Sequence, residues 1–245
     1  VGSKRAVSRK YPLRDSGAGG KGPTWKALEA PVPKKMRKEQ GIQIPKKLWR
    51  STTKAISQWG MIKQGDRVLL GLSGGKDSLA LLHVLLALQK KYAPGAWTLA
   101  AATVDPGTEA FNPKPLIPYM ESLGVTYHYI ETPIMQWAKD GHMQGDSICA
   151  FCARMKRGAL YSCCREHGYN KLVLAQHLDD LVESFFMSSM YNSKFRTMKA
   201  HYPINEGDLR VIRPLVYTRE KALRDFSYGA GLPVIAENCP ACFEE

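Results

Sequence analysis

The stretch DRVLLGLSGGKDSLALLHVLLAL, residues 66–88, decides the fold of this chain. Residues 68–72 form a continuous apolar run, which predicts a buried strand of a parallel sheet. A polar loop follows at residues 73–78, and apolar residues then recur with the spacing of a buried helix. A strand, a Gly-rich turn and a helix N-terminus in this order create an anion site, because free backbone N–H groups and the positive end of the helix dipole converge there.

The loop between this strand and helix has the composition of a phosphate-binding loop, but not of the Walker A type. Gly74 and Gly75 carry no Cβ, so the backbone can approach an oxyanion closely. A Walker A loop requires Gly where this chain has Leu70, and Ser or Thr where it has Asp77. The loop instead resembles the PP-loop of the ATP pyrophosphatase superfamily, whose members cleave ATP between the α and β phosphates and adenylate a carbonyl oxygen. A Gly-containing turn in another α/β protein is the alternative.

Composition limits the class of protein. The 245 residues suffice for one α/β domain with appendages, and a mean hydropathy of -0.30 is typical of a soluble globular chain. The net charge of +13 favours a polyanionic partner, of which nucleic acid is the commonest; a solvated basic surface is the alternative. No apolar run reaches the roughly 18 residues that a membrane span requires, so we expect no membrane association.

Residues 1–45 differ from the rest and are predicted to form a basic, irregular N-terminal extension. They hold eleven Lys and Arg against three acids, which is +8 of the total charge, together with five prolines and a Gly-rich run. Two interpretations are open: an organelle-targeting remnant, or a basic arm that binds RNA phosphates. Residues 46–245 are predicted to form the single folded domain.

Within that domain, strand and helix patterns alternate. This alternation predicts an α/β fold with a doubly wound parallel sheet of Rossmann-like type, right-handed crossovers and ligands at the carboxyl ends of the strands. The further strands are expected at residues 98–105, 125–130, 171–176 and 209–212. The further helices are expected at residues 45–61, 113–123, 150–167, 178–190 and 219–228.

Six cysteines form two Cys-x-x-Cys pairs and one adjacent pair: Cys149 and Cys152, Cys239 and Cys242, and Cys163 and Cys164. No secretory signal is visible, so metal or redox chemistry is expected rather than disulfides. The two Cys-x-x-Cys pairs suit a four-cysteine zinc site or an iron–sulfur cluster, and either pair alone suits a redox dithiol; the spacing does not choose between them. The adjacent pair is expected in the core, as small apolar residues.

The segment 177–180, His-Leu-Asp-Asp, follows the strand predicted at residues 171–176. Asp179 and Asp180 would therefore stand at a helix N-terminus on the ligand-binding edge of the sheet. Carboxylates beside nucleotide phosphates are explained if Mg²⁺ bridges them. Capping of the helix by the two acids is the alternative. Taken together with the phosphate loop, the pattern favours a ligand role.

Five segments, in order, resemble the tRNA 2-thiocytidine synthetases, a family within the PP-loop tRNA thiolases. The resemblance covers about residues 46–242 and implies the adenine nucleotide alpha hydrolase-like fold. It departs from the family pattern at Ala175 and Gln176, where the family has Gly-His; the Cβ of Ala175 puts a nucleotide contact there in doubt. The five segments are residues 65–78, 149–161, 177–180, 212–221 and 238–242.

This resemblance implies an ATP-dependent tRNA sulfurtransferase. It would adenylate the C2 oxygen of an anticodon-loop cytidine, position 32 in the family, and replace that oxygen by sulfur to give 2-thiocytidine. The implied cofactors are ATP, Mg²⁺ and a 4Fe–4S cluster, and the implied partners are tRNA and a sulfur donor such as a cysteine desulfurase or free sulfide. The choice of cytidine rests on resemblance alone. A thiolase acting on a tRNA uridine and a non-catalytic RNA-binding or assembly subunit are the alternatives.

The resemblance also assigns roles to individual residues. A cluster held by three cysteines would keep one iron without a protein ligand, where sulfide can bind and act as a nucleophile. The expected location is the cytoplasm, or the matrix of a mitochondrion or plastid if residues 1–45 are a targeting remnant; a homodimer is left open. The implied nucleotide-binding residues are Ser73, Gly74, Gly75, Lys76, Asp77, Ser78, Asp105 and His177. The implied catalytic residues are Asp77, Lys156 and Asp180, and the implied cluster ligands are Cys149, Cys152 and Cys239.

Overall fold

The computed structural model describes residues 25–27, 42–91, 95–108, 111–143 and 147–235. Within these ranges, no helix has both the length and the apolar character needed to cross a membrane. The strands are β1 (Trp25–Ala27), β2 (Arg67–Gly71), β3 (Thr98–Asp105), β4 (Thr126–Glu131), β5 (Lys171–Val173), β6 (His201–Pro203) and β7 (Arg210–Ile212). The helices are α1 (Lys46–Gln58), α2 (Lys76–Lys91), α3 (Leu116–Leu123), α4 (Ile134–Lys139), α5 (Ile148–Glu166), α6 (Leu178–Asn192) and α7 (Glu220–Gly229).

The seven strands form one sheet in the order β1-β4-β3-β2-β5-β7-β6. The five inner strands are parallel, and the edge strands β1 and β6 pair antiparallel with their neighbours. From β2 the chain first builds outward through β3 and β4, and then returns to build β5 and β7 on the other side. The strand order therefore reverses between β2 and β5, which is where doubly wound sheets bind their ligands. The predicted α/β fold is confirmed.

Three elements were not predicted, namely β1, α4 and β6. β1 lies in the extension that was expected to be irregular, and it pairs with β4 through the register Trp25 with Ile130. The strand predicted at residues 171–176 ends at Val173, because its neighbour β7 ends at Ile212 and the chain then crosses toward α6. The division of the chain at residues 45 and 46 stays a prediction.

Helices cover both faces of the sheet. α1, α2, α3 and α7 pack with Val68 and Leu70 of β2 on one face, while α4 and α5 pack with Leu69 on the other. Because alternate residues of β2 are buried on opposite sides, this strand is a continuous apolar run rather than an alternating pattern. The sheet and its two helical layers thus hold the carboxyl end of β2 in a rigid frame.

A buried ion pair joins β2 and β5 at the opposite, amino edge. Lys171 Nζ lies 3.1 Å from Asp66 Oδ2 and donates a hydrogen bond of 2.8 Å to the carbonyl of Met61. Asn170 Nδ2 donates to the other oxygen of Asp66 at 2.9 Å. Both charges therefore have hydrogen-bonding partners, as buried charges require. The network fixes the relative position of the two strands that flank the ligand edge.

Candidate functional site

The phosphate loop, residues 73–78, connects β2 to α2 at the point where the strand order reverses. Gly74 adopts a φ of +87°, a conformation that favours glycine, and a Cβ there would meet Ile235 at 3.3 Å. Ser73 Oγ accepts a hydrogen bond of 3.2 Å from the N–H of Gly75, and Ser78 Oγ donates one of 3.0 Å to the Gly75 carbonyl. These bonds hold the turn, and the anion site inferred from the sequence stays a prediction.

Two carboxylates hold the lysine of the loop. Lys76 Nζ lies 3.0 Å from Asp77 Oδ2 and 3.0 Å from Glu220 Oε1, which stands at the start of α7. Burial opposes the charge on Lys76, but hydrogen bonds to the two acids outweigh it and raise the pKa of the ammonium group. The hydrogen bond from Lys76 in turn lowers the pKa of Glu220. Phosphate oxygens would have to compete with these two partners for the ammonium group.

The second carboxylate oxygen of Asp77 lacks the partner that the first one has in Lys76. Asp77 Oδ1 is buried and has no hydrogen-bond partner among the described residues. A carboxylate oxygen left unpaired inside a protein is costly unless a ligand satisfies it. At the end of a phosphate loop, a divalent cation bridging to the phosphates would satisfy it. The geometry therefore fits Mg²⁺ at Asp77.

His177 brings the N-terminus of α6 to the same place. Asp180 N–H donates to His177 Nδ1 at 3.3 Å, and His177 N–H donates to Asp180 Oδ2 at 2.7 Å, which is a capping box. Because Nδ1 accepts, the neutral imidazole carries its proton on Nε2. This Nε2 lies 3.9 Å from Asp77 Oδ2. The fold thus places two predicted segments, far apart in the sequence, side by side.

Asp179 faces α7, and its role is structural. Its two oxygens accept hydrogen bonds from the Glu220 N–H at 2.7 Å and from Arg219 Nε at 2.8 Å. The backbone hydrogen bond, and then Arg219, lower the pKa of Asp179. Of the two acids, Asp179 therefore caps α7 while Asp180 caps α6. The expected capping of α6 therefore holds for Asp180 alone, and the catalytic role of Asp180 stays a prediction.

Asp105 lies at the carboxyl end of β3, next to β2 in the sheet. Asp105 Oδ1 accepts from the Gly107 N–H at 2.9 Å, and Oδ2 accepts from the hydroxyl of Tyr129. Burial and the hydrogen bond to Asp105 raise the pKa of Tyr129. Both carboxylate oxygens are thus engaged within the protein. The predicted contact between Asp105 and the nucleoside stays a prediction.

Helix α5 presents three of the predicted residues on one face. Cys149, Cys152 and Lys156 are spaced i, i+3 and i+7, so their side chains leave the helix in similar directions, over about 10 Å of its length. Cys149 is exposed and Cys152 is partly exposed. Lys156 Nζ lies 5.4 Å from the centre of the Phe111 ring, which follows β3. The third predicted ligand, Cys239, and its neighbour Cys242 lie outside the described residues.

The adjacent cysteines are in the core, as expected. Cys163 and Cys164 belong to α5 and are buried where the helix packs on the sheet, and burial raises the pKa of Cys163 to about 12 and that of Cys164 as well. Cys163 shares its surroundings with His128 and His167, whose potential ligand atoms lie within 4.8 Å of one another and of the sulfur. Burial and the nearby His167 lower the pKa of His128 to about 4, and its Nε2 lies 2.9 Å from the hydroxyl of Tyr169. Ring stacking and this hydrogen bond account for the cluster as part of the core.

The structure adds two residues that the sequence did not single out. Glu220 belongs to one of the five segments, but nothing in its local pattern indicated that it would bind Lys76. No sequence pattern indicated a role for Ile235. In the structure, its N–H donates to the Gly74 carbonyl at 2.9 Å and its side chain packs on that glycine. Three residues separate Ile235 from Cys239 in the sequence. The phosphate loop is therefore bonded to the segment that leads to the second cysteine pair.

Known proteins share the PP-loop domain and much of the sequence of this chain. A family model described as a PP-loop domain matches residues 45–237. The tRNA-cytidine(32) 2-sulfurtransferase of Geobacter sulfurreducens is 35% identical over 197 residues, which cover 80% of this chain and 76% of that protein. The enzyme of the same name from Vibrio vulnificus is 38% identical over 196 residues, covering 80% of this chain and 63% of the relative. The chain thus spans less than two thirds of the Vibrio protein.

One solved structure shares the fold. A U34-tRNA thiolase from Methanococcus maripaludis, solved with its 4Fe–4S cluster, superposes with a TM-score of 0.65 at 22% sequence identity. The match covers 80% of this chain and 66% of the thiolase. At this level of identity, the likeness supports the architecture rather than the details of a site.

Proposed function

The chain belongs to the PP-loop family and, within it, to the tRNA-cytidine(32) 2-sulfurtransferases, and from that premise we propose that it converts a cytidine of the tRNA anticodon loop to 2-thiocytidine. The observation that carries the proposal is the meeting of two segments at the switch point, where His177 Nε2 lies 3.9 Å from Asp77 Oδ2. This contact joins the phosphate loop to the His-x-Asp-Asp segment, at the edge where such sheets bind nucleotides.

ATP is the proposed nucleotide. The loop residues 73–78 and the N-terminus of α2 offer N–H groups to its phosphates, and Mg²⁺ would bind Asp77 through the buried Oδ1. Lys76 would leave Glu220 and turn to the phosphates, since both are anionic partners for the same ammonium group. A lysine and a cation at this position offset the charge that develops when the bond between the α and β phosphates breaks.

The proposed first step is adenylation of the base. The C2 oxygen of the base attacks the α phosphorus, an O–P bond forms, and pyrophosphate leaves. The poor leaving group at C2 thereby becomes AMP, which sulfur then displaces. Lys156, on the same face of α5 as the cysteine pair, is proposed to offset charge on the base or phosphate during these steps. Asp180 is proposed to assist near the reacting base.

A 4Fe–4S cluster is the proposed resident cofactor. The described part of its ligand set fits, because Cys149 and Cys152 are one turn apart on the same face of α5 and form no disulfide. Cys239 is the proposed third ligand. When bound, such a cluster supplies an iron that can hold sulfide. The proposed donor of that sulfur is free sulfide or a cysteine desulfurase; the desulfurase would deliver a persulfide, which a thiol reductant would have to reduce by two electrons to sulfide.

The test is mass spectrometry of nucleosides from tRNA after incubation with the iron-loaded protein, ATP, Mg²⁺ and sulfide. We expect 2-thiocytidine from the wild type and, in Asp77→Asn, the loss of both pyrophosphate release and product. Asp225→Asn is a matched control, since Asp225 is an exposed acid on α7 that pairs only with Lys221 among the described residues. Formation of 2-thiouridine alone would overturn the choice of base. Formation of neither, by protein that holds iron and binds ATP, would favour a non-catalytic RNA-binding subunit.

The cluster ligands are tested separately by iron analysis after anaerobic reconstitution. Cys149→Ser, Cys152→Ser and Cys239→Ser are expected to lose iron. Cys163→Ala is the control for the loss of a cysteine, because Cys163 is a buried core residue of α5, and this variant is expected to keep its iron content. Cys242→Ser is also expected to keep iron. An equal loss in Cys242→Ser would instead indicate a four-cysteine site.

A further inference from the structure

Helix α6 exposes most of its apolar residues. Of its fifteen residues, Ser188 is buried, whereas Val182, Phe186, Met187 and Met190 are exposed. A helix that carries apolar residues on every side is normally covered by other parts of a protein. Here no described segment covers it. The apolar surface of α6 is therefore accessible to a binding partner.

The exposed area is large and mostly aromatic. Phe185, Phe186, Tyr191 and Phe195 are 37%, 57%, 79% and 87% exposed. If a fully exposed aromatic side chain presents about 200 Å², these four expose roughly 500 Å². That is at the upper end of the largest apolar patches on ordinary monomers, which often have a binding function.

Three of these rings are grouped. The ring centres of Phe185 and Phe186 are 5.8 Å apart in an edge-on arrangement, and those of Phe185 and Phe195 are 6.2 Å apart. Phe195 does not belong to the helix. Ser193 ends α6 with a φ of +50°, and residues 193–199 then run back along the helix, since Thr197 Oγ1 donates to the Leu181 carbonyl. The rings therefore form one aromatic cluster shared by α6 and the returning segment.

The returning segment is basic. Lys194, Arg196 and Lys199 lie within seven residues and are all exposed. None of them forms an ion pair with another residue in the described ranges. Exposed cations interleaved with exposed aromatic rings are the side chains that hold single-stranded nucleic acid, the cations by its phosphates and the rings by stacking on its bases.

A groove lies beside this surface, and Arg196 belongs to both. It has a volume of about 460 Å³ and lies between α6 and the returning segment. Asp180 lines its inner end, in the first turn of α6, and Asn192 lines its outer end, about 18 Å further along the helix. Arg196 and Thr197 line the facing wall. Glu183 also lines the groove and none of the four exposed aromatic residues does, so the groove marks the direction from Arg196 to Asp180 rather than the stacking surface itself.

We propose that α6 and residues 193–199 form the surface on which the single-stranded RNA around the target base docks. Bases that flank the target would stack on Phe186 and Phe195, and Lys194 and Arg196 would bind the backbone phosphates. The inference rests on the proposed function, because it names where the RNA substrate of that site lies. It adds a binding surface outside the phosphate loop and the cysteine pairs.

A second copy of the chain is the competing occupant of this surface. Charge argues against it, because each copy would bring the three cations of residues 193–199 to the interface, and each copy also carries a net charge of +13 overall. Like charges brought together across an interface cost free energy, whereas a polyanion is attracted by the same groups. The surface therefore fits RNA better than itself.

Binding is measured by fluorescence anisotropy with two RNAs, an anticodon stem-loop and a blunt duplex with the same stem. Phe186→Ala/Phe195→Ala is expected to weaken stem-loop binding about 10- to 100-fold and to leave duplex binding unchanged, because only unpaired bases can stack. Lys194→Ala/Arg196→Ala is expected to weaken both RNAs and to lower the slope of log affinity against log salt concentration by one to two. Tyr228→Ala, which removes an equally exposed ring on α7, should change neither.

Two further double variants distinguish stacking on the rings from contact with apolar side chains. Phe186→Tyr/Phe195→Tyr keeps the rings and should bind the stem-loop as the wild type does, whereas Phe186→Leu/Phe195→Leu keeps apolar bulk and should not. Wild-type affinity of the alanine variant for the stem-loop overturns the proposal. A fall in molecular mass of that variant by light scattering, with RNA binding unchanged, assigns the surface to a second copy. These measurements need no ATP, cluster or turnover, so failure of the proposed catalysis would not affect them.

Discussion

Helices α2 and α6 occupy equivalent places in the fold but differ in how much of each helix is buried. Each begins at the switch point, α2 after β2 and α6 after β5, and each carries an acid in its first turn at the proposed site. Nine of the sixteen residues of α2 are buried, against one of the fifteen in α6. Both sequences are rich in apolar residues, so composition alone would not separate them.

The difference in burial arises from which other elements pack against each helix. α2 is enclosed between the sheet and the neighbouring helices α1 and α7, and its leucines form the centre of one core. α6 only contributes Leu181 to the edge of that core. An apolar helix next to an active site can thus contribute either to the stability of the fold or to binding. Which one it serves depends on whether the rest of the chain covers it.

Hydrogen exchange should show the largest contrast between the two helices. Amides in the middle of α2 should open only with global unfolding, at a cost of about 5–15 kcal/mol, whereas those of α6 should open locally at a cost at least about 3 kcal/mol lower. Mass spectrometry of peptides from residues 76–91 and 178–192 measures this. Equal protection of the two helices in the isolated protein would contradict the prediction that α6 opens locally. Added anticodon stem-loop should slow exchange in α6 and leave α2 unchanged.

Truncation of side chains should show the next largest effect. Leu82→Ala in α2 is expected to lower the free energy of unfolding by about 2–5 kcal/mol, because it opens a cavity in the core. Met190→Ala in α6 removes an exposed side chain and should stay within about 0.5 kcal/mol. Urea denaturation of both variants measures the difference. A cost above 1 kcal/mol for Met190→Ala would mean that α6 is covered in the free protein.

The contact that ties α6 to the body of the protein should have a smaller effect. Asp179→Ala removes the acceptor of the Glu220 N–H and of Arg219, and is expected to cost about 1–2 kcal/mol, as loss of a helix cap does. Asp225→Ala is the control, since its exposed pair with Lys221 is worth at most about 0.5 kcal/mol. Equal costs for the two variants, by urea denaturation, would contradict a capping role for Asp179.

The pH dependence of that contact should be the smallest effect. The pKa of Asp179 is lowered in the folded protein, so its stabilising contribution is fully present above the unfolded value of about 3.9 and is lost as pH falls through the folded pKa. The stability difference between the wild type and Asp179→Asn should therefore be constant from about pH 7 to 5 and shrink below about pH 4. A difference that instead grows toward acid pH would show the opposite sign of linkage.

Local pattern determined most of the fold. The apolar run before Ser73, the alternation of later strands and helices, and the small apolar character of Cys163 and Cys164 all correctly indicated the parallel sheet and its core. These features are readable because each depends on neighbours a few residues away, through strand pairing tendencies and helical periodicity. The edge strands β1 and β6 were missed because neither is an apolar run, whereas β5 and β7 are equally short but are largely buried and mostly apolar.

Tertiary structure decided the partners within the site. Lys76 and Glu220 are 144 residues apart, and Asp179 reaches Glu220 across 41. No periodicity encodes such pairs, since they depend on which loops the sheet brings to one edge. The sequence by itself determined that a phosphate loop, a His-x-Asp-Asp segment and a cysteine pair on a helix were present. Only the packing of the elements decided that the loop meets His177, that Asp179 serves as a cap, and that the aromatic rings of α6 remain exposed, because burial is a property of the assembled fold.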